Sequence, residues 1–271
     1  MLNRSDTFMR QIQSSSALAF ARALFHAGEG KELFDREFEF PSAVSTYYSL
    51  FHLGGALILA YCSHPPSTGD PHISLREKLE GKWEKRHPRT LSNGKQYLTD
   101  PAGDIRHPDV PAFLSLELPE LAKSLGGRDL PGTLLDMREF VSYAPRMVSD
   151  GHISVLYSGC QYEPKSFRGY LGQHLRLLDD FFRQSLGWLC QRNLTEVQAR
   201  ILSGDFVLFE FDELHAYYPE PVRKRAWEIY YSLCENEKVN WRVYRPEPGT
   251  FHVDQNSQRR RYDEMISLLS R

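Results

Sequence analysis

The chain has 271 residues, of which 41% are hydrophobic and 25% are charged, as expected of a globular protein that buries a sizeable core. Its formal net charge of -2 at pH 7 excludes a global positive field, so any contact with nucleic acid or anionic lipid must be a local patch. The four cysteines lie far apart and none has zinc-ligand spacing, so we expect no metal cofactor and a reducing, cytoplasmic location.

The N-terminal segment predicts an amphipathic helix. Ala17, Phe20, Ala21, Leu24 and Phe25 recur at steps of three and four residues and form one apolar face. Two glycines, at positions 28 and 30, are predicted to end this helix. Arg22 interrupts the apolar run, so we expect no secretion signal here.

The next stretch, STYYSLFHLGGALILAYC at 45–62, lies in a run from Phe40 to Leu75 in which Asp70 is the one Asp, Glu, Lys or Arg residue. A membrane span, a buried helix and a functional helix all fit this length. The polar Ser45, Thr46 and His52 favour a buried helix over a span, so we predict a central helix from Ser42 to Tyr61 and no membrane contact.

Between residues 64 and 111 the chain is rich in proline and glycine, and only HISLREKLEGKWEKR is predicted to be helical. This segment is locally basic. Two interpretations stay open: a solvated insertion, or a loop that guides RNA through Lys82, Lys85, Arg86 and Arg89.

Two further helices, in PAFLSLELPELAKSL and LPGTLLDMREFVSYA, complete a predicted four-helix bundle over residues 1–150. Residues 151–271 are predicted to form a mostly helical region with one short strand in DFVLFEFD. Its longest helix has one apolar face made by Tyr170, Leu171, His174, Leu175, Leu178, Phe181 and Phe182. The predicted fold class is therefore mainly α.

Three segments of the first half resemble the HEPN superfamily, a group of helical domains found in many prokaryotic toxins and antiviral proteins. AVSTYYSLFHLGGALILA is similar to the family helix that carries Tyr-Tyr-x-x-Phe-His. SALAFARALFHAG resembles the family's first helix, and LLDMREFVSYAPRM resembles its last. The resemblance covers roughly residues 14 to 150, and its most specific part is the Tyr-Tyr-x-x-Phe-His run.

The resemblance implies a dimeric four-helix bundle that, in catalytic members, cleaves RNA without a metal ion. An arginine stabilises the developing phosphate charge, and a histidine or tyrosine handles the protons. By position, these roles fall on Arg138 and Tyr143. A second pair, Arg146 and His152, has the Arg-x5-His spacing just after that helix. His52 lines a pocket or is a hydrogen-bonded core histidine.

Other functions stay open. Glu139 follows the arginine where the family usually has a small polar residue, and its carboxylate would repel a phosphate. The chain is therefore expected to be either a metal-independent RNase or a catalytically silent HEPN-like module that binds nucleotide, nucleic acid or a partner protein. A structural adaptor is the third alternative. The expected partners are a second copy of the chain, RNA, and an antitoxin or another protein of a defence complex.

Overall fold

The computed structural model describes residues 4–64, 67–85, 89–90, 96–97, 101–120, 164–203 and 218–236. Most of these residues are helical, so the fold is mainly α, as predicted. The helices are α1 (Arg4–Asp35), α2 (Glu39–Cys62), α3 (Ile73–Lys85), α4 (Asp109–Glu117), α5 (Pro164–Gln191), α6 (Thr195–Ser203) and α7 (Glu220–Asn236). A short 3-10 helix, Pro101–Asp104, precedes α4.

The helices α1 and α2 pack side by side in opposite directions, and a ladder of serine hydroxyls fixes their register. Ser42 donates to the carbonyl of Gly30 (2.7 Å), Ser49 to that of Ala23 (2.8 Å), and Ser16 of α1 to that of Ala56 (2.7 Å). Each step of seven residues forward along α2 is matched by seven residues backward along α1. This heptad spacing is typical of closely packed antiparallel helices.

The helix α1 runs past both glycines that were predicted to end it, so that prediction is wrong. A Cβ atom on Gly28 would lie 2.7 Å from the carbonyl oxygen of Val222, and one on Gly30 would lie 2.9 Å from the hydroxyl of Thr46. These distances are too short for any side chain. The two glycines therefore allow neighbouring helices to approach closely, at a modest cost in helix propensity.

The actual end of α1 is a left-handed turn at Glu37, whose φ is 65°. The amide of Phe38 donates to the carbonyl of Leu33 (2.8 Å), and the amide of Glu37 donates to that of Phe34 (3.0 Å). This pair of bonds is the Schellman motif, which satisfies carbonyls at a helix end. The turn is short, so α2 begins at once and returns along α1.

The helix α2 is long and apolar enough by composition to cross a membrane, but 78% of its most apolar window is buried inside the protein. Its two glycines lie under other elements. A Cβ on Gly54 would meet Val110 of α4 at 2.3 Å, and one on Gly55 would meet Ile105 at 3.5 Å. The prediction of a central buried helix is confirmed.

The described helices on both sides of residue 150 share one hydrophobic core. The helix α7 packs on α1, α5 packs on α2, and α6 contacts both α1 and α5. The predicted apolar face of α5 is buried at Leu171, His174, Leu175, Leu178, Phe181 and Phe182. The domain boundary near residue 150 and the four-helix bundle before it stay predictions, because the last helix of that bundle lies outside the described residues.

The segment between α2 and α4 contains the predicted helix, α3, and also a small antiparallel ladder that was not predicted. Its strands are β1 (Arg89–Thr90) and β2 (Gln96–Tyr97), with Arg89 opposite Tyr97 and Thr90 opposite Gln96. Two residues a strand are too few to produce a period-two pattern. The strand predicted in DFVLFEFD lies outside the described residues.

Candidate functional site

A cluster of histidine and aromatic rings surrounds the Tyr-Tyr-x-x-Phe-His run of α2. Within α2, residues 47 and 51 are one helical turn apart, and so are residues 48 and 52. The four side chains therefore lie on one face of the helix. His107, from the loop before α4, and His26, from α1, meet this face, and Tyr218, two residues before α7, packs on His26. The members of this histidine cluster are Tyr47, Tyr48, Phe51, His52, His26, His107 and Tyr218.

One side of the histidine cluster is a histidine–carboxylate pair. Nδ1 of His26 lies 3.4 Å from the carboxylate of Glu29, which also accepts a 2.9 Å hydrogen bond from the hydroxyl of Ser45. The hydrogen bond from His26 lowers the pKa of Glu29, although partial burial acts in the opposite direction. Glu29 is therefore ionised at neutral pH and orients the ring of His26.

The centre of the cluster is His52. Its ring is nearly parallel to that of His26, with an interplanar angle of 7° and ring centroids 5.3 Å apart. Burial, together with the positive charges of His26, Arg22 and His107, lowers the pKa of His52 to about 3. His52 is therefore neutral at physiological pH.

The other side of the cluster is His107, which is the hydrogen-bond partner of the Tyr47 hydroxyl through Nδ1. Its ring lies 4.5 Å from that of Phe51. The loop that carries His107 is held by Asp109, which accepts hydrogen bonds from the amide of Arg106 (2.7 Å) and the ammonium of Lys78 (2.6 Å). This loop brings to α2 a histidine that is 60 positions away from Tyr47 in the sequence.

The histidine cluster reaches the protein surface. Tyr47 is buried, whereas His26, Tyr48, His52 and His107 are all half-buried. The cluster thus combines two histidines in different hydrogen-bonding environments with a nearby arginine, Arg22, whose charge acts on His52. Burial and the charge of Glu29 raise the pKa of Tyr218 to about 12, so its hydroxyl keeps its proton. Histidine is the side chain that most often serves as a general acid or base in catalysis.

A second polar cluster lies at the opposite end of α2. Arg76 donates to the carbonyls of Tyr61 (3.1 Å) and Cys62 (2.8 Å) in the last turn of α2, and the Tyr61 carbonyl also accepts from the amide of His64 (3.2 Å). Its Nε lies 3.8 Å from the carboxylate of Asp70, and Asp70 accepts a 2.7 Å hydrogen bond from the hydroxyl of Tyr61. Both charged side chains are almost fully buried.

The same cluster extends to α4 and α5 through Glu117. This carboxylate lies 3.0 Å from Nε2 of His72, accepts a 3.3 Å hydrogen bond from Trp188, and is paired with Arg192. We call this set the buried polar tie, with the members Tyr61, Asp70, His72, Arg76, Glu117, Trp188 and Arg192. It joins α2, α3, α4 and α5 through complementary charges.

Most of the residues that the sequence singled out cannot be placed relative to the histidine cluster. Arg138, Tyr143, Arg146, His152 and Arg86 lie outside the described residues. Lys85 ends α3 and Arg89 belongs to β1, and both are placed by their backbone alone. Lys82 is 42% exposed and donates a 3.2 Å hydrogen bond to Asp104, so a carboxylate already offsets its charge. Their catalytic and RNA-binding roles stay predictions.

Sequence reasoning found the α2 part of the cluster and missed its partners, His26, Glu29, His107 and Tyr218. His26 is in the ALFHAG segment that resembles the first family helix, and His107 is in the second Arg-His-Pro triplet. Neither pattern indicates a contact with α2. Among the residues that the structure describes, no three His, Cys, Asp or Glu side chains are arranged to hold a metal ion.

Comparisons with protein-family models, with curated proteins and with solved structures find no match to this chain. The chemistry of the histidine cluster must therefore be argued from its own residues.

Proposed function

We propose that the chain is a HEPN-like protein of the toxin or antiviral-defence type that cleaves RNA without a metal ion. The observation that supports this function is the group of three histidines at the Tyr-Tyr-x-x-Phe-His run: His26 stacks on a neutral His52, and His107 contacts Phe51 and Tyr47. Cleavage of RNA by its own 2′-hydroxyl needs a base, an acid and a positive charge, and residues of these types are grouped here.

In the proposed reaction, His26 is the base. Its Nδ1 is directed towards Glu29, which leaves Nε2 to accept the proton of the 2′-hydroxyl. The 2′-oxygen then attacks the phosphorus, and the bond from phosphorus to the 5′-oxygen breaks. His107, oriented by Tyr47, donates the proton that this leaving oxygen takes up. The products are a 2′,3′-cyclic phosphate and a 5′-hydroxyl.

The arginine that stabilises the pentacoordinate phosphate is assigned on two grounds. The resemblance places this role on Arg138, with Tyr143, or His152 with Arg146, handling protons in the same helix region. Among the described residues, Arg22 supplies a positive charge close enough to lower the pKa of His52. A second copy of the chain would bring two such sites together, and Lys82, Lys85, Arg86 and Arg89 would guide the RNA.

The second candidate is a silent HEPN-like module that binds nucleotide, nucleic acid or a partner protein within a defence complex. Glu139 favours it, because a carboxylate next to Arg138 repels phosphate. This candidate predicts affinity for RNA without turnover. It also predicts a stable complex with an antitoxin or another partner protein.

The deciding experiment is cleavage of total tRNA and mixed RNA in EDTA, with end-group analysis for the 2′,3′-cyclic phosphate. Arg138→Ala, His26→Gln and His107→Gln are compared with His64→Gln, an exposed histidine at the end of α2. Loss of a general acid or base should reduce the rate constant about 100- to 10,000-fold, with the circular dichroism unchanged. His64→Gln should cleave like the wild type.

Two outcomes would remove this assignment. Full activity of both His26→Gln and His107→Gln would exclude the histidine cluster from catalysis, and the activity of Arg138→Ala would then test the resemblance alone. RNA binding without cleavage by the wild-type protein would favour the silent module. Light scattering of the purified protein tests the dimer independently.

A further inference from the structure

A groove with a volume of about 760 Å³ lies between the C-terminal part of α1, the first half of α5, and α7. Four of the side chains that line it are basic, namely Lys31, Arg168, Arg176 and Arg225, and three are acidic, namely Asp35, Glu39 and Asp179. The histidine cluster uses the other side of α1, because Glu29 and Lys31 are two residues apart on the helix. The groove is therefore separate from the proposed reaction site.

Three of the four basic side chains are already neutralised by carboxylates. Arg168 is paired with Glu39 (2.7 Å), Lys31 with Asp179 (2.7 Å), and Arg225 with Asp35. The hydrogen bond from Arg168 lowers the pKa of Glu39, which keeps this carboxylate ionised. These pairs make the groove rigid and leave it with one positive charge in excess.

The positive charge in excess of the three ion pairs belongs to Arg176. In the described part of the chain, Arg176 has no carboxylate within ion-pair distance, and its side chain is exposed to the groove. A guanidinium group forms two parallel hydrogen bonds with a carboxylate or a phosphate, which makes it a specific site for an oxyanion. The groove thus offers one anion position among walls that are electrically balanced.

The rest of the groove wall is apolar. The guanidinium of Arg168 lies 4.4 Å from the centre of the Phe34 ring, and Leu175 lies beside them. Gly172 makes room for this ring, because a Cβ there would be 3.1 Å from Phe34. A groove of this volume is large enough for a small organic molecule.

We propose that this groove binds a small organic anion, whose single phosphate or carboxylate group pairs with Arg176 and whose apolar body lies along Phe34 and Leu175. A polyanion such as RNA fits poorly, since Asp35, Glu39 and Asp179 would repel its further phosphates. The ligand would contact α1, α5 and α7 together. Binding would therefore stabilise the packing of the two C-terminal helices on α1.

The proposal is tested by isothermal titration calorimetry of the full chain with phenyl phosphate, benzoate and neutral benzyl alcohol. We expect one of the two anions to bind in a 1:1 ratio in the millimolar range or tighter, and the alcohol to show no binding. The preferred anion then distinguishes a phosphate ester from a carboxylate as the natural ligand. Arg176→Gln should weaken this binding about 10- to 100-fold.

The matched control is Arg10→Gln, which removes one positive charge from an exposed position of α1 outside the groove. It should bind the anion like the wild type. Equal affinity in wild-type and Arg176→Gln protein, or no saturation by either anion at millimolar concentration, would overturn the proposal. The test is independent of RNA cleavage, which Arg176→Gln should leave unchanged.

Discussion

The two polar clusters of α2 differ in how their charges are compensated. In the buried polar tie, the charged side chains of Asp70, Arg76 and Glu117 are almost fully buried, and each lies beside an opposite charge. In the histidine cluster, half-buried rings outnumber carboxylates, and Glu29 is the carboxylate that pairs with His26. One cluster is closed by buried ion pairs, whereas the other reaches the surface.

This difference indicates different tasks for two ends of one helix. Buried ion pairs are costly to form and costly to break, which suits a joint between four helices. Histidines near a surface change charge between pH 5 and 8 without unfolding the protein, which suits chemistry. We expect substitutions in the buried polar tie to lower stability, and substitutions in the histidine cluster to change activity and pH response.

The largest expected effect is that of Arg76→Met in the buried polar tie. The change leaves Asp70 buried without its cation and removes the guanidinium donor from the carbonyls of Tyr61 and Cys62. We expect the free energy of unfolding to fall by about 3–5 kcal/mol, measured by urea denaturation. Arg36→Met, at an exposed pair with Glu32, should change it by less than about 0.5 kcal/mol.

A loss below 1 kcal/mol in Arg76→Met would show that the tie does not stabilise the fold, and the contrast between the two clusters would fail.

An intermediate effect is expected where α7 packs on α1 near the histidine cluster. Gly28→Ala puts a methyl group 2.7 Å from the carbonyl of Val222 and 2.8 Å from the amide of Ala226, which are backbone atoms. The clash should destabilise the protein by about 1–3 kcal/mol, although alanine favours a helix. It should also displace Tyr218, which lies two residues before α7, and so change its fluorescence.

The matched variant is Gly81→Ala in α3, where a Cβ would meet no atom within 4 Å. It should stabilise the protein by about 0.4–1 kcal/mol in the same assay. If both alanine variants had the same effect, close packing of α7 on α1 would not be the reason for Gly28.

The smallest expected effect is on how stability depends on pH, to which His52 of the histidine cluster contributes. The pKa of His52 is about 3 in the folded protein and about 6.5 in the unfolded chain, so the unfolded chain binds one more proton between these values. Stability should therefore fall as the pH drops below 6.5, by at most about 1.4 kcal/mol per pH unit. His52→Phe keeps an aromatic ring and should reduce this slope between pH 6.5 and 5.

The lowered pKa of Glu29 has its effect at lower pH. The contribution of Glu29 to stability is complete above the ordinary carboxyl pKa, and it is lost as the pH falls through the lower pKa of the folded state. This loss therefore lies below the range from pH 6.5 to 5 in which His52 is tested. His64→Gln is the control, since His64 is exposed. An unchanged slope in His52→Phe would mean that other groups cause the pH dependence.

Much of the fold could be predicted from the sequence, because helices with one apolar face leave a clear pattern. The face of α5 was predicted residue by residue, and α2 was identified as a buried helix from its lack of charge. The glycines of α1 misled the prediction. In the sequence, a glycine that ends a helix cannot be distinguished from one that allows a neighbouring helix to approach closely. The position of α7 in the structure makes the distinction at Gly28.

The site could be predicted only where its residues share one helix. Tyr47 and Phe51 are one turn apart, as are Tyr48 and His52, so their spacing is visible in the sequence. His107 reaches Tyr47 only because the loop before α4 folds over α2, and Tyr218 arrives from the far end of the chain. Such contacts depend on tertiary packing, which local spacing does not encode.

The serine ladder between α1 and α2 has a consequence for how the chain folds. These helices are joined by a three-residue turn and their paired positions are close in sequence, so the entropy lost on pairing them is small. We expect this hairpin to form early in folding, before α5 and α7 close the core from distant parts of the chain. Substitutions at the α7 contact should then mainly accelerate unfolding, whereas loss of Ser42 or Ser49 should slow refolding.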